Sequence, residues 1–202
     1  MTSVSRNPVS PSHKRIAIFA SGTGTNAKKI IEHFSQHPFI KVQLIVCNRP
    51  AAGVLDIAAA NNITALLIEK EKFFKGNGYA DELKEAQTDF IVLAGFLWKI
   101  PQTLIDAYRN RIINIHPALL PKFGGKGMYG AKVHEAVIAA RETESGITIH
   151  YVDEHYDNGD VIFQAKCPVF YNDTPESLAE RIHELEHKYY AGVIEECVKQ
   201  MK

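Results

Sequence analysis

Five short apolar runs alternate with helix-spaced segments over the first 116 residues, and this alternation constrains the fold more than any other feature of the chain. The runs are 15–20 (RIAIFA), 40–47 (IKVQLIVC), 65–68, 90–94 (FIVLA) and one that ends at His116. Unbroken apolar strands between helices need a sheet covered on both faces, so the pattern predicts an α/β fold. Its sheet is mostly parallel and doubly wound, Rossmann-like, with right-handed crossovers. Helical spacing is read over 27–34, 51–61, 79–86 and 102–107. The charged, Gly/Asn-broken segment 69–77 reads as a surface loop.

Beyond the Gly-rich stretch 123–130 the pattern changes. A helix over about 132–141 leads into 146–152 (GITIHYV), whose alternation suits an antiparallel strand. Residues 153–160 read as a polar turn and 161–170 as the partner strand. Thr174, Pro175 and Glu176 then open a last helix with a capping residue, a proline at the first helical position and an acid in the first turn. That helix is expected to run to about 199, so antiparallel strands extend the sheet toward the C-terminus.

Composition excludes several classes of function. Lys plus Arg and Asp plus Glu both number 23, so no global charge draws the chain to nucleic acid or an anionic membrane. Cys47, Cys167 and Cys197 are odd in number and lack CxxC spacing, which argues against a disulfide framework or a zinc knuckle and fits a reducing cytoplasm. Residues 1–13 are Ser/Pro-rich without an apolar core and read as a disordered tail, leaving 14–202 as one domain. No run approaches the length of a membrane span.

Three stretches carry chemistry. Ser21 to Asn26 (SGTGTN) lies between the first strand and the first helix. There Gly22 and Gly24 allow a tight turn and the N–H groups of the helix start face any bound anion, most simply a phosphate. Ala27 stands where a dinucleotide fingerprint prefers glycine but tolerates alanine, which leaves a nicotinamide or flavin site open; Cys47-Asn48-Arg49 offers no ribose-binding acid, so a phosphoribosyl group fits better than a dinucleotide. The second stretch is Asn114-Ile115-His116-Pro117. If the strand continues to His116, Asn114 and His116 share one side of the sheet, and an amide donor then stands beside a titratable imidazole. The third, Gly95 to Ile100, follows a buried strand and holds the one Trp, Trp98. It either walls a flat heteroaromatic ligand or covers the core edge. By residue type alone Asp157 is a turn aspartate, Glu186-His187 a solvent-facing pair, and His183 with His187 at most a weak surface metal site; no metal is expected.

Taken together, SGTGTN, FIVLAGFLWKI, IINIHPALLPKF, GGKGMYG before VHEAV, GITIHYVDEHYDNGDVIFQ and RIHELEHKYY resemble the phosphoribosylglycinamide formyltransferases, folate-dependent enzymes of purine synthesis. The likeness covers nearly everything from Arg15 to Cys197 and implies a formyltransferase fold. Its phosphate-binding half is 14–116 and its folate and catalytic half 117–202. It implies catalytic roles for Asn114, His116 and Asp157. Phosphoribosyl binding falls to Gly22, Thr23, Gly24, Thr25, Asn26 and Glu186. Folate binding falls to Leu97, Trp98, Lys99, Ile100, Asn114, Asp153, Glu154, His155 and Tyr156. The implied substrates are glycinamide ribonucleotide and 10-formyltetrahydrofolate, with no metal, nucleic acid or membrane, in a cytoplasmic monomer or homodimer. Two departures stand out. The 72–77 region offers Lys72 and Lys75 where the family often has a folate-contacting Arg, and Trp98 replaces an Arg common after the AGF triplet.

The resemblance further implies that Asp157 raises the His116 pKa and holds its tautomer, and that Asn114 and a cationic His116 stabilise a tetrahedral oxyanion. A hydrolytic relative that releases formate uses similar residues but carries an extra N-terminal domain, for which 1–13 leaves no room. A nucleotide-binding module without catalysis is the reading from a different class. His116→Ala is expected to lower turnover by roughly a hundred- to ten-thousand-fold with the fold intact, and normal turnover of the purified variant would remove the assignment.

Overall fold

The computed structural model describes residues 13–201, so the predicted tail lies, apart from residue 13, outside the described residues. The elements are β1 (Lys14–Ala20), α1 (Thr25–Phe34), β2 (Ile40–Cys47), α2 (Val54–Ala60), β3 (Thr64–Leu67), α3 (Lys70–Lys75) and α4 (Ala80–Glu85). They continue with β4 (Phe90–Leu93), α5 (Gln102–Ala107), β5 (Ile112–His116), α6 (Ala131–Ala139), β6 (Glu144–Tyr151), β7 (Val161–Pro168) and α7 (Pro175–Lys199). They build one seven-stranded sheet in the order β3-β2-β1-β4-β5-β6-β7. Strands β1 to β5 pair in parallel, and β6 and β7 add antiparallel.

Both faces of the sheet are covered, as the apolar strands require. On one face Ile16, Ile18 and Ile113 pack with Ala27 and Ile30 of α1, Val54 of α2, Val137 of α6 and Leu178 and Ile194 of α7. On the other, Ala17, Phe19 and Ile91 pack with Phe73 of α3, Leu83 of α4 and Leu104 of α5. In α1 the buried positions are Ala27, Ile30, Ile31 and Phe34, the i, i+3, i+4, i+7 stripe of a helix lying on a sheet. The start of α7 is secured by a reciprocal capping box between Thr174 and Ser177 with Pro175 in the first turn. Farther along, the buried Tyr190 hydroxyl donates to the Leu93 carbonyl at 2.8 Å, which ties α7 to the carboxyl end of β4.

One local expectation changes. Residues 70–75 form α3 instead of a loop, because fully buried Phe73 anchors one face while Lys72 pairs with Glu82 and Lys75 with Glu71 on the exposed side. One apolar anchor in six residues is too short a pattern for periodicity to reveal. The alternation of GITIHYV does mark an antiparallel strand, and β6 lies between β5 and β7 with Glu144 at its start exposed and its other polar positions covered. Ser145, Thr148 and His150 are all buried.

The Phe73 ring packs edge-on against Phe96 and tilted against Trp98, so α3 buttresses the segment after β4. Phe73→Ala is expected to lower unfolding free energy by about 3–5 kcal/mol. Urea titration followed by Trp98 fluorescence reads it; a midpoint within error of wild type would show that α3 is dispensable.

Candidate active site

The strand order reverses between β1 and β4, and the loops leaving the carboxyl ends of these strands splay apart into a crevice. Buried Ser21 holds the two loops in step: its N–H donates to the Gly95 carbonyl at 3.1 Å and its hydroxyl accepts from the Leu97 N–H at 3.0 Å. Gly24 caps α1 with φ +80°, where a Cβ would lie 2.8 Å from Val54 Cβ, so α2 packs where only glycine leaves space. No side chain caps α1, which leaves its first N–H groups to the crevice, the arrangement that suits an anion. Asn26, inside the first turn, donates through Nδ2 to Glu186 Oε2 at 2.8 Å. Glu186 is buried on α7, contrary to the solvent-facing position its residue type suggests. Burial pushes its carboxyl pKa up, against the Asn26 hydrogen bond and the charge of His183.

The second group of polar residues gathers at β5 and β6. Their antiparallel pairing sets His150 opposite Asn114 and Thr148 opposite His116. The His150 Nδ1 donates to the Tyr151 carbonyl at 2.8 Å, so in the neutral ring Nε2 accepts from the Asn114 amide at 3.1 Å. The His116 Nε2 donates to the Phe123 carbonyl at 2.8 Å, which makes Nδ1 the nitrogen that takes up a proton. Asp157 enters from the turn after β6 with φ +52°, in the left-handed region that costs a non-glycine residue strain. Its Oδ2 accepts from the Gly125 N–H at 2.9 Å and lies 3.6 Å from His116 Nδ1, while Oδ1 lies 3.7 Å from His150 Nε2. The two imidazole contacts are longer than hydrogen bonds and act electrostatically. Burial raises the Asp157 pKa, but His150, His116 and the Gly125 amide outweigh it and hold the carboxyl below its ordinary range.

For His116 the balance goes against the expected direction. Burial is the largest influence and lowers the pKa; the charge of Asp157 and the Phe123 carbonyl raise it, His150 lowers it, and the net shift is downward. An imidazole 3% exposed loses more hydration on protonation than one carboxylate at 3.6 Å returns.

One cleft of about 290 Å³ joins these groups. It is lined by Gly22, Thr23, Gly24, Thr25, Asn26 and Glu186 at one end, by Asn114, His116 and Asp157, and by Leu97, Trp98, Lys99, Ile100, Asp153, His155 and Tyr156 at the other. Glu154 is the exception among the expected residues: it is exposed and outside the lining, in a turn where Asp153 Oδ1 accepts from the His155 N–H. Phe96 and Trp98 meet both descriptions open to them, lining the cleft while packing on the second core. Lys72 and Lys75 do not line it, being paired with Glu82 and Glu71. Lys99 does, with its ammonium 5.3 Å from the Tyr156 ring centre.

Four contributors escaped the sequence reading. They are His150, the Ser21 bridge, the Phe123 carbonyl and His134 of α6. His150 left a signal in the alternation of β6, while Ser21, Phe123 and His134 stand inside the family motifs without a role read for them. Among the described residues no His, Cys, Asp and Glu side chains are grouped to hold a metal ion, and no helix is long and apolar enough to cross a membrane.

A phosphate-sized anion cradle facing an amide, imidazole and carboxylate across one cleft of a doubly wound sheet is the equipment of a group-transfer enzyme. The chain belongs to the formyl transferase family, whose model matches residues 14–194. A chloroplastic phosphoribosylglycinamide formyltransferase of Arabidopsis thaliana is 44% identical over 91% of this chain, which spans 65% of that relative's length. The phosphoribosylglycinamide formyltransferase of Bacillus subtilis (strain 168) is 36% identical, covering 92% of this chain and 95% of its own. The crystal structure of glycinamide ribonucleotide transformylase 1 from Geobacillus kaustophilus superposes with a TM-score of 0.83 at 38% identity, over 92% of this chain and 99% of that one. Within the family the chain therefore groups with the phosphoribosylglycinamide formyltransferases.

His134 gives a pH test of the electrostatics. Burial, with His183 and His116 nearby, lowers its pKa from 6.5 to about 4. It stays neutral in the folded chain at pH values where it charges in the unfolded one, so its contribution to stability is complete above pH 6.5 and is lost as the pH falls toward 4. This residue alone is expected to remove about 3 kcal/mol across that window. His134→Leu should flatten that part of the urea-midpoint profile; an unchanged slope would show that the ring is hydrated and charged.

Proposed function

We propose that the protein transfers the formyl group of 10-formyltetrahydrofolate to the amine of 5-phosphoribosylglycinamide, giving the N-formyl product in purine synthesis. The observation that carries this reading is the meeting of Asn114, His116 and Asp157 in the cleft that also holds the α1 anion cradle. The cradle at Gly22 to Asn26 takes the phosphate, and Glu186, braced by Asn26, takes the sugar end. The folate ring lies along the 97–100 segment and the 153–157 turn, with Lys99 and Tyr156 at its glutamyl end.

The amine attacks the formyl carbon, and the carbonyl oxygen becomes an oxyanion beside the Asn114 amide, which keeps one N–H for it while the other is given to His150. His116 is held neutral by burial and therefore receives a proton from the attacking amine instead of starting as a cation. The proton settles on Nδ1, 3.6 Å from the Asp157 carboxylate, which stabilises the new imidazolium. Collapse of the intermediate breaks the bond to the folate nitrogen, which leaves with that proton as tetrahydrofolate. One amine N–H is lost, one folate N–H is gained, and His116 returns to neutral.

The same proposal includes one domain over 14–202 and a cytoplasmic location, supported by three free, buried cysteines. The phosphate end draws on both halves of the chain, since Asn26 and Glu186 meet there.

Mixing the protein with both substrates should release tetrahydrofolate only when the amine substrate is present, followed by absorbance; no release, or release independent of the amine, would sink the transferase. Asp157→Asn removes the charge that favours imidazolium. It is expected to cost roughly a hundred- to ten-thousand-fold in kcat at unchanged KM for the amine substrate.

A further inference from the structure

His134 is a cleft residue that the chemistry above leaves without a task. It stands in the fourth position of α6, 4% exposed, and lines the cleft together with Gly130 at the helix start. Its Nδ1 is buried and has no hydrogen-bond partner among the described residues. A buried polar nitrogen left unpaired costs folding free energy, so a packed chain that keeps one where leucine would fit points to a use outside folding.

The surroundings narrow that use. His183 on α7 and His116 on β5 lie near enough to weaken its basicity, which sets His134 between the Glu186 end and the reaction end of the cleft. The N-terminal half of α6 also disfavours added positive charge. A neutral imidazole brings no charge to a phosphate, which already has the α1 cradle. It offers one N–H donor and one acceptor, the complement of a hydroxyl. Asn26 Oδ1, also buried and unpaired among the described residues, and the Glu186 carboxylate supply further acceptors along the same wall. Acceptors beside a neutral donor match the vicinal hydroxyls of a pentose and neither a phosphate nor an apolar ring.

We infer that His134 is a substrate-binding residue that hydrogen-bonds a ribosyl hydroxyl of the phosphoribosyl substrate. This role rests on the transferase reading and adds a second sugar contact beside Glu186. It makes His134 a determinant of specificity for the intact sugar and leaves the formyl-transfer step to Asn114, His116 and Asp157.

The test compares wild type, His134→Leu and His134→Gln with glycinamide ribonucleotide and with its analogue lacking both ribosyl hydroxyls. For the natural substrate His134→Leu should raise KM about tenfold, the size of one hydrogen bond, with kcat and the KM for 10-formyltetrahydrofolate unchanged. His134→Gln, which keeps a donor and an acceptor, should recover part of the loss. The analogue should bind wild type and His134→Leu equally. Removing the unpaired nitrogen should also raise the melting temperature by about 2–4 °C, whereas a merely structural histidine would lower it. An unchanged KM in a folded His134→Leu, or an equal rise for both substrates, would overturn the sugar contact. Absence of transfer by wild type would instead overturn the transferase reading, and this role with it.

Discussion

The Asp157 carboxylate is the charge around which the cleft is balanced. A buried anion in an apolar surround is costly unless every lone pair meets a donor or a positive charge. Here one oxygen takes the Gly125 N–H, and the His116 and His150 rings stand 3.6 and 3.7 Å from the carboxylate, where each meets it with positive charge on protonation. Satisfying that anion draws in the Gly-rich loop through Gly125, where φ is +95°, and through Phe123, whose carbonyl holds the other side of the His116 ring. It also keeps the 157 backbone in the left-handed region. The loop, the turn and two strands are thus locked to one another by a single carboxylate.

That lock has a consequence for proton transfer. The Phe123 carbonyl commits Nε2 of His116 to donating, and burial keeps the ring neutral at rest. The carboxylate stands at the other nitrogen, so the cation becomes favourable only as a proton arrives there. A histidine charged at rest has no free nitrogen to take the proton that an attacking amine gives up. The deep placement of His116 and the adjacent anion therefore work as opposing influences on one group, with burial the larger.

The two ends of the cleft are built by different means. The anion end comes from the point where strand order reverses between β1 and β4, a place that any doubly wound sheet leaves open, tuned by Gly24 and bridged by Ser21. The reaction end depends on β6 joining β5 antiparallel, which supplies His150 to Asn114 and lets the 153–160 turn fold back over the sheet edge. Helix α7 closes the arrangement. It carries Glu186 to Asn26 at one level and the Tyr190 hydroxyl to the end of β4 at another.

By itself the sequence determined the α/β class, the strands and most helices, the glycine turn after β1 and the shared side of Asn114 and His116. All of these depend on neighbours within a few residues, through periodicity, capping or the two-residue repeat of a strand. The family motifs added Asp157 and Glu186, which residue type alone placed in a solvated turn and on a solvated helix face. Only the tertiary structure decided that Glu186 is buried and Asp157 partly so, that α3 is a helix held by Phe73, and that His150 and His134 face the cleft. It also decided that burial outweighs Asp157 at His116. Each of these depends on what lies across the molecule, dozens of residues away in the chain, and on how much water that packing removes; local spacing carries no record of either.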